Sequence, residues 1–94
     1  MSITYFKLFY NYYKNEVNTM YERIRNLRED KDLTQKQIGI ILNMSQTGYN
    51  QYETGKNDIP TRVLIELAKF YNTSTDYILG LTDEIRPYKR KEEK

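Results

Sequence analysis

The 94-residue chain contains no cysteine and no histidine. Without thiols there is neither a disulfide framework nor a thiolate metal site, and a reducing compartment is permitted. Without imidazole the usual zinc ligand and the usual general base are both missing. No phosphate-binding glycine loop and no carboxylate pair in a recognisable setting offsets that loss, so no enzyme activity, no metal and no cofactor is expected. No apolar run approaches the roughly 18 residues needed to span a bilayer. The N-terminal stretch lacks the long aliphatic core and small-residue cleavage site of a signal peptide, so a cytoplasmic protein without membrane association is expected. Glycine and proline are scarce, at four and two residues, and the apolar fraction is 38%. Together these point to one small helical domain around a single core.

An excess of basic charge is also lacking where it would matter. The formal net charge is +2, but from Tyr21 to Thr82 the eight cations (Arg23, Arg25, Arg28, Lys31, Lys36, Lys56, Arg62, Lys69) are balanced by eight acids (Glu22, Glu29, Asp30, Asp32, Glu53, Asp58, Glu66, Asp76). Binding to a nucleic acid would therefore have to rest on a lopsided arrangement of charge, not on bulk basicity.

What is present is punctuation. Helix one is expected from Met20 to about Lys31, with Ile24 and Leu27 buried and Arg23 and Arg25 exposed. Asp32 sits where a left-handed residue ends a helix, and Leu33 returns to the core. Thr34 and Gln37 form a capping box that starts helix two, which runs to Leu42 with Ile38, Ile41 and Leu42 inward. Gly39 in its middle costs roughly 1 kcal/mol against alanine, which implies that helix three crosses closely there. Asn43 supplies the positive φ of a tight corner, and Met44 tucks beneath it.

Ser45 is the N-cap of helix three, Gln46 to Glu53, and Gly55 stops it. Tyr49 and Tyr52, three residues apart, belong to the core. A short helix with one buried edge and one amide-rich exposed edge suits insertion into the major groove of DNA. Helix four follows Pro60, with Thr61 as its N-cap and Leu64, Leu67, Ala68 and Tyr71 inward. Asn72 ends it. Ser74 caps a short fifth helix carrying Tyr77, Ile78 and Leu79, and Gly80 stops that one. From Asp83 the sequence DEIRPYKRKEEK reads as a solvated tail, its KRK an exposed charge cluster.

The first twenty residues, MSITYFKLFYNYYKNEVNTM, carry two signals. Phe6, Tyr10, Tyr13, Val17, Met20, Ile24 and Leu27 share one apolar helical stripe, yet Asn18, Thr19 and Glu22 read as a fresh helix start. The expectation is a helix from about Thr4 to Glu16, a break near Asn18, and docking of its aromatic face on a neighbour; the alternative is a loosely ordered leader.

The string LTQKQIGIILNMSQTGYNQYETGKN, with NTSTDYILGLTD behind it, closely resembles the Cro/cI-type, or XRE-type, helix-turn-helix regulators over about Met20 to Asp83. The resemblance implies an all-α, five-helix, lambda-repressor-like DNA-binding domain, here with an extra N-terminal helical segment. The chain then divides into an aromatic extension at 1–19, the helix-turn-helix domain at 20–83 and a charged tail at 84–94. Carried over by position, Gln46, Thr47 and Gln51 become the base-reading side chains, with Asn50 a fourth. Gln35, Ser45, Lys56 and Asn57 would face phosphates, with Arg62 and Arg23 as weaker contributors. The resemblance also implies a structural ion pair between Arg28 and Glu53. Chemistry agrees for the readers, since glutamine offers a donor and an acceptor to adenine and the threonine methyl can meet a thymine methyl. Asp58 departs from the pattern, because an acid near phosphate is unfavourable.

Two functions of different classes remain at this level. One is a repressor that binds double-stranded DNA as a homodimer at a pseudo-palindromic operator. The other is a protein-binding module of antitoxin or anti-regulator type, gripping a protein partner through residues 1–19. Ten tyrosines could stack on single-stranded bases, but most lie on apolar stripes, where packing is the simpler use.

Overall fold

The computed structural model describes residues 21–91. The expected N-terminal helix, its break and its docking face fall outside the described residues. Among those described there are five helices and no strand: α1 (21–30), α2 (Gln35–Ile41), α3 (Gln46–Glu53), α4 (Thr61–Phe70) and α5 (Thr75–Ile78). The helices are short, so each depends on its ends and on tertiary packing more than on propensity.

All five helices stop in the same way. Asp32, Asn43 and Asn72 have φ of 55, 58 and 54°, and Gly55 and Gly80 have 77 and 81°. Each of these stands two residues beyond the last helical residue, where a left-handed backbone reverses the chain. After α1, α2, α4 and α5 the following amide reaches back to the helix: Leu33 N to Arg28 O at 3.1 Å, Met44 N to Gly39 O at 2.8 Å, Thr73 N to Ala68 O and Leu81 N to Asp76 O both at 2.9 Å. This is the Schellman closure, which satisfies carbonyls that would otherwise be orphaned. After α3 the closure is wider, with Asn57 N donating to Gln51 O at 3.0 Å.

Three of the starts follow the sequence closely. The Thr34 and Gln37 side chains cap each other's backbone amides, Ser45 Oγ accepts from Gly48 N at 3.0 Å, and Ser74 Oγ accepts from Tyr77 N at 2.9 Å. The start of α4 differs from expectation. Pro60 is its N-cap, extended at φ −61° and ψ 150°, with no side-chain cap bond. Thr61 is already helical, because the pyrrolidine ring fixes an extended entry one residue earlier than a hydroxyl cap would.

The core is built from one side of every helix. Ile24, Ile38, Tyr49, Leu67 and Ile78 are completely buried, one from each of α1 to α5. Each such side chain contributes about 1.5–3 kcal/mol relative to exposure. Ile41, expected inward, is 46% exposed, and Val63 is buried where Leu64 is only half-buried. Leu42, the next residue and the C-cap of α2, is buried.

Gly39 is where two helices approach backbone to backbone. A Cβ there would lie 3.0 Å from Met44 O and 3.5 Å from Gln46 N, so α2 and the start of α3 touch backbone to backbone. That contact sets the angle of the corner.

The stretch after Gly80 is exposed over most of its length, yet it is tied down. Thr73 Oγ1 donates to Ile85 O, Tyr88 OH donates to Asp76, and Arg90 Nη2 donates to Thr73 O at 2.9 Å and Ala68 O at 3.2 Å. Arg90 is thus not a freely solvated member of a charge cluster. The electronegative carbonyl end of α4 draws its guanidinium in. Gly39→Val should force the corner open and destabilise the domain by about 1–3 kcal/mol, read as a lower melting temperature by circular dichroism; an unchanged melt would show that the α2–α3 contact has slack.

Candidate nucleic-acid interface

The outer edge of α3 is polar because the sequence leaves it so. Gln46 and Thr47 are exposed, and Asn50 and Gln51 are half-buried beside them, one turn on. The inner edge is aromatic. Tyr49 is fully buried and Tyr52 is 9% exposed, their rings edge to face at 6.3 Å and 86°.

The far end of α3 is held by charge. Arg28 Nε lies 2.7 Å from Glu53 Oε2 and Arg28 Nη2 lies 3.1 Å from Oε1, a two-pronged contact between α1 and α3. Arg28 Nη1 also donates to Leu33 O at 2.7 Å. The two side chains are 13% and 3% exposed, so the pair is largely removed from water and losing one partner would strand the other.

Gln35 completes the arrangement: its Nε2 donates to Asn50 Oδ1 at 2.9 Å and to Glu53 Oε1 at 3.1 Å. Burial works to raise the Glu53 pKa, but Arg28, the nearby Tyr49 hydroxyl and Gln35 more than reverse it, holding the carboxyl below its ordinary range. Burial, then Glu53, push the Tyr49 hydroxyl well above its ordinary value. That hydroxyl sits near the carboxylate without hydrogen-bond geometry, and it and the Tyr71 hydroxyl are the two buried side-chain polar atoms without a hydrogen bond among the described residues.

The residues expected at phosphates are divided. Ser45 is exposed; its oxygen accepts from Gly48 N, and its O–H is free to donate outward. Lys56 is exposed on the loop after α3. Asn57 is turned back on α3, where its Nδ2 donates to Gln51 Oε1. Arg62 is exposed and paired with Glu66 at 2.8 Å, one turn along α4. Asp58 accepts from Tyr21 OH at 3.0 Å.

Two expectations need correction. Gln35 is committed inside the protein, because a buried carboxylate needs more donors than Arg28 alone supplies. Arg23, expected to be exposed and phosphate-facing, is 15% exposed in its side chain and lies 4.1 Å above the Tyr77 ring. Its Nη1 donates to Tyr77 O and Thr82 O, and its Nη2 meets Asp83 at 2.8 Å. The carbonyl end of α5 and an aromatic face compete for the guanidinium and win. No local sequence signal reports that contact, since its partners lie more than fifty positions away.

The geometry is of two helices joined by a tight left-handed corner, the second presenting a polar edge. A sequence model of the helix-turn-helix family matches residues 24–78. The chain belongs to the helix-turn-helix family, in its XRE-type branch. This helix-turn-helix chain is 38% identical over 66 residues to YobD of Bacillus subtilis, an uncharacterized HTH-type transcriptional regulator, covering 70% of this chain and 59% of that protein. It is 36% identical over 64 residues to the HTH-type transcriptional regulator ImmR of the same bacterium, covering 68% of this chain and 50% of that protein. The alignments span about half to three-fifths of the length of those relatives. No solved structure matches it.

Within this helix-turn-helix, Glu53→Gln should lower stability by about 3 kcal/mol near neutral pH, by stranding Arg28. The depressed Glu53 pKa gives stability that is present above the unfolded value and lost as pH falls through the folded one. The gap between parent and variant should thus be constant above about pH 5 and close on acidification. Urea titrations across pH measure it; a gap that widens in acid would refute the assignment.

Proposed function

We propose that this protein is a transcriptional regulator, acting as a repressor, that binds a specific double-stranded DNA site through α3 in the major groove. The observation that carries this is the polar edge of α3, with Gln46 and Thr47 exposed and Asn50 and Gln51 beside them, on a helix fixed from behind by Tyr49, Tyr52 and the Arg28–Glu53 pair. Amide and hydroxyl side chains on a rigid helix are what reading of base edges requires. Membership of the helix-turn-helix family supports the same reading, as does the likeness to YobD and ImmR, both HTH-type transcriptional regulators by name.

One such helix contacts only a few base pairs, so two copies on a pseudo-palindromic operator, with half-sites about 10 bp apart or a multiple of that, give the specificity a regulator needs. Leu81, Ile85 and Tyr88 are 62%, 49% and 62% exposed, and they offer apolar surface for a second copy. Backbone grip falls to Ser45, Lys56 and, at the margin, Arg62. With so few cations the salt dependence of binding should be shallow, because few counterions are released.

Selection from a random double-stranded library tests the proposal, a recovered palindrome bound by two molecules being the expected result. Gln46→Ala with Gln51→Ala should erase preference for the selected site over random DNA, at about 1–3 kcal/mol per lost contact, while the melt stays within a few degrees of the parent. Equal preference in parent and variant would sink the base-reading assignment.

A further inference from the structure

Gln35 has an amide nitrogen with two hydrogens, and both are used inside the protein, one on Glu53 Oε1 and one on Asn50 Oδ1. The direction of this chain of contacts is fixed by chemistry. A carboxylate only accepts, and Glu53 is held ionised by Arg28 at 2.7 Å in a nearly dry setting. The end of Gln35 facing it must therefore be the NH2. Because the same NH2 reaches Asn50, the Asn50 atom facing Gln35 must be the carbonyl oxygen. Asn50 Nδ2 is left as the uncommitted group, on the half-exposed edge of α3 one turn after Gln46.

We infer that Gln35 is a positioning residue that turns the NH2 of Asn50 toward the groove, its polarity set by the charge on Glu53. This rests on the DNA-binding reading of α3. A free asparagine suits adenine, pairing with the N6 donor and the N7 acceptor together. With one lone pair of its oxygen engaged by Gln35, Asn50 leads with its NH2 and is poorly placed to accept from adenine N6 at the same time. The base edge it fits offers acceptors: guanine first, through O6 and N7, and thymine next, through O4. Cytosine, which shows only its N4 donor in the major groove, is disfavoured.

The test uses the full chain and a random-sequence double-stranded DNA library, with Gln35→Ala and Asn50→Asp as variants. Asn50→Asp keeps an oxygen for Gln35 and replaces the outward NH2 by a second oxygen. The one column of the selected site that changes in this variant identifies the base pair under Asn50. The parent should hold guanine or thymine in that column. Asn50→Asp should move it to cytosine, and Gln35→Ala should admit adenine there, with discrimination falling about tenfold while the other columns stay fixed. A general loss of fold would blur every column, so a change confined to one is not explained by stability. Adenine or cytosine in the parent, or a column unaltered by Gln35→Ala, would overturn the inference.

A readout without DNA separates its failure from that of the DNA-binding reading. In side-chain amide NMR the Gln35 hydrogens should exchange with solvent more slowly than those of Asn50, and should shift as Glu53 is protonated by acid. Equal exchange and no shift would overturn the positioning role outright. Protected Gln35 hydrogens with no DNA enriched by the parent would instead overturn the DNA-binding reading, and the base assignment with it.

Discussion

The contact on which the interface depends is the one between Arg28, near the end of α1, and Glu53, the last residue of α3. A buried ion pair is costly, because both ions give up water, and it persists only where further hydrogen bonds complete each partner. Here they do. Arg28 also binds Leu33 O at the corner before α2, and Glu53 also receives Gln35 from the first turn of α2. Three helices meet at one carboxylate. Its position therefore fixes both the lean of α3 and the polarity of the side chains next to it.

The other end of α3 is set by shape instead of charge. Gly39 lets the backbone at Met44 approach to within 3.0 Å of where a Cβ would stand, tighter than most side chains tolerate. A close corner at one end and an ion pair at the other leave the recognition segment little freedom. The aromatic filling behind it carries a cost: the Tyr71 hydroxyl is buried without a hydrogen bond, a penalty of about 1–3 kcal/mol, while the Tyr49 hydroxyl, also without one, is near the Glu53 carboxylate. The edge-to-face packing of Tyr49 on Tyr52 offsets part of this.

Much of the fold was legible in the sequence because helix ends are local. Thr34, Ser45 and Ser74 act within three residues of themselves, and Asp32, Asn43, Gly55, Asn72 and Gly80 stop helices through their own backbone angles. The start of α4 lies one residue earlier than the sequence indicates, since a proline and a threonine in tandem both signal an entry and only the extended backbone at Pro60 separates them. Spacing reports the core, apart from Ile41 and Val63, where the depth of neighbouring helices decides which edge is covered.

The candidate site divides along the same line. The sequence by itself determined which residue types line α3, that its inner edge is aromatic, and where the helix begins and ends, because all of these follow from 3.6-residue periodicity and local capping. Only the tertiary structure decided what the cations and amides do. Arg23 turns to the end of α5, Arg90 to the end of α4, and Gln35 to Glu53 and Asn50 in place of phosphate. The reason is physical. A guanidinium or an amide has long reach and several donors, so its partner is whichever acceptor the fold brings nearest, and that acceptor can lie anywhere along the chain.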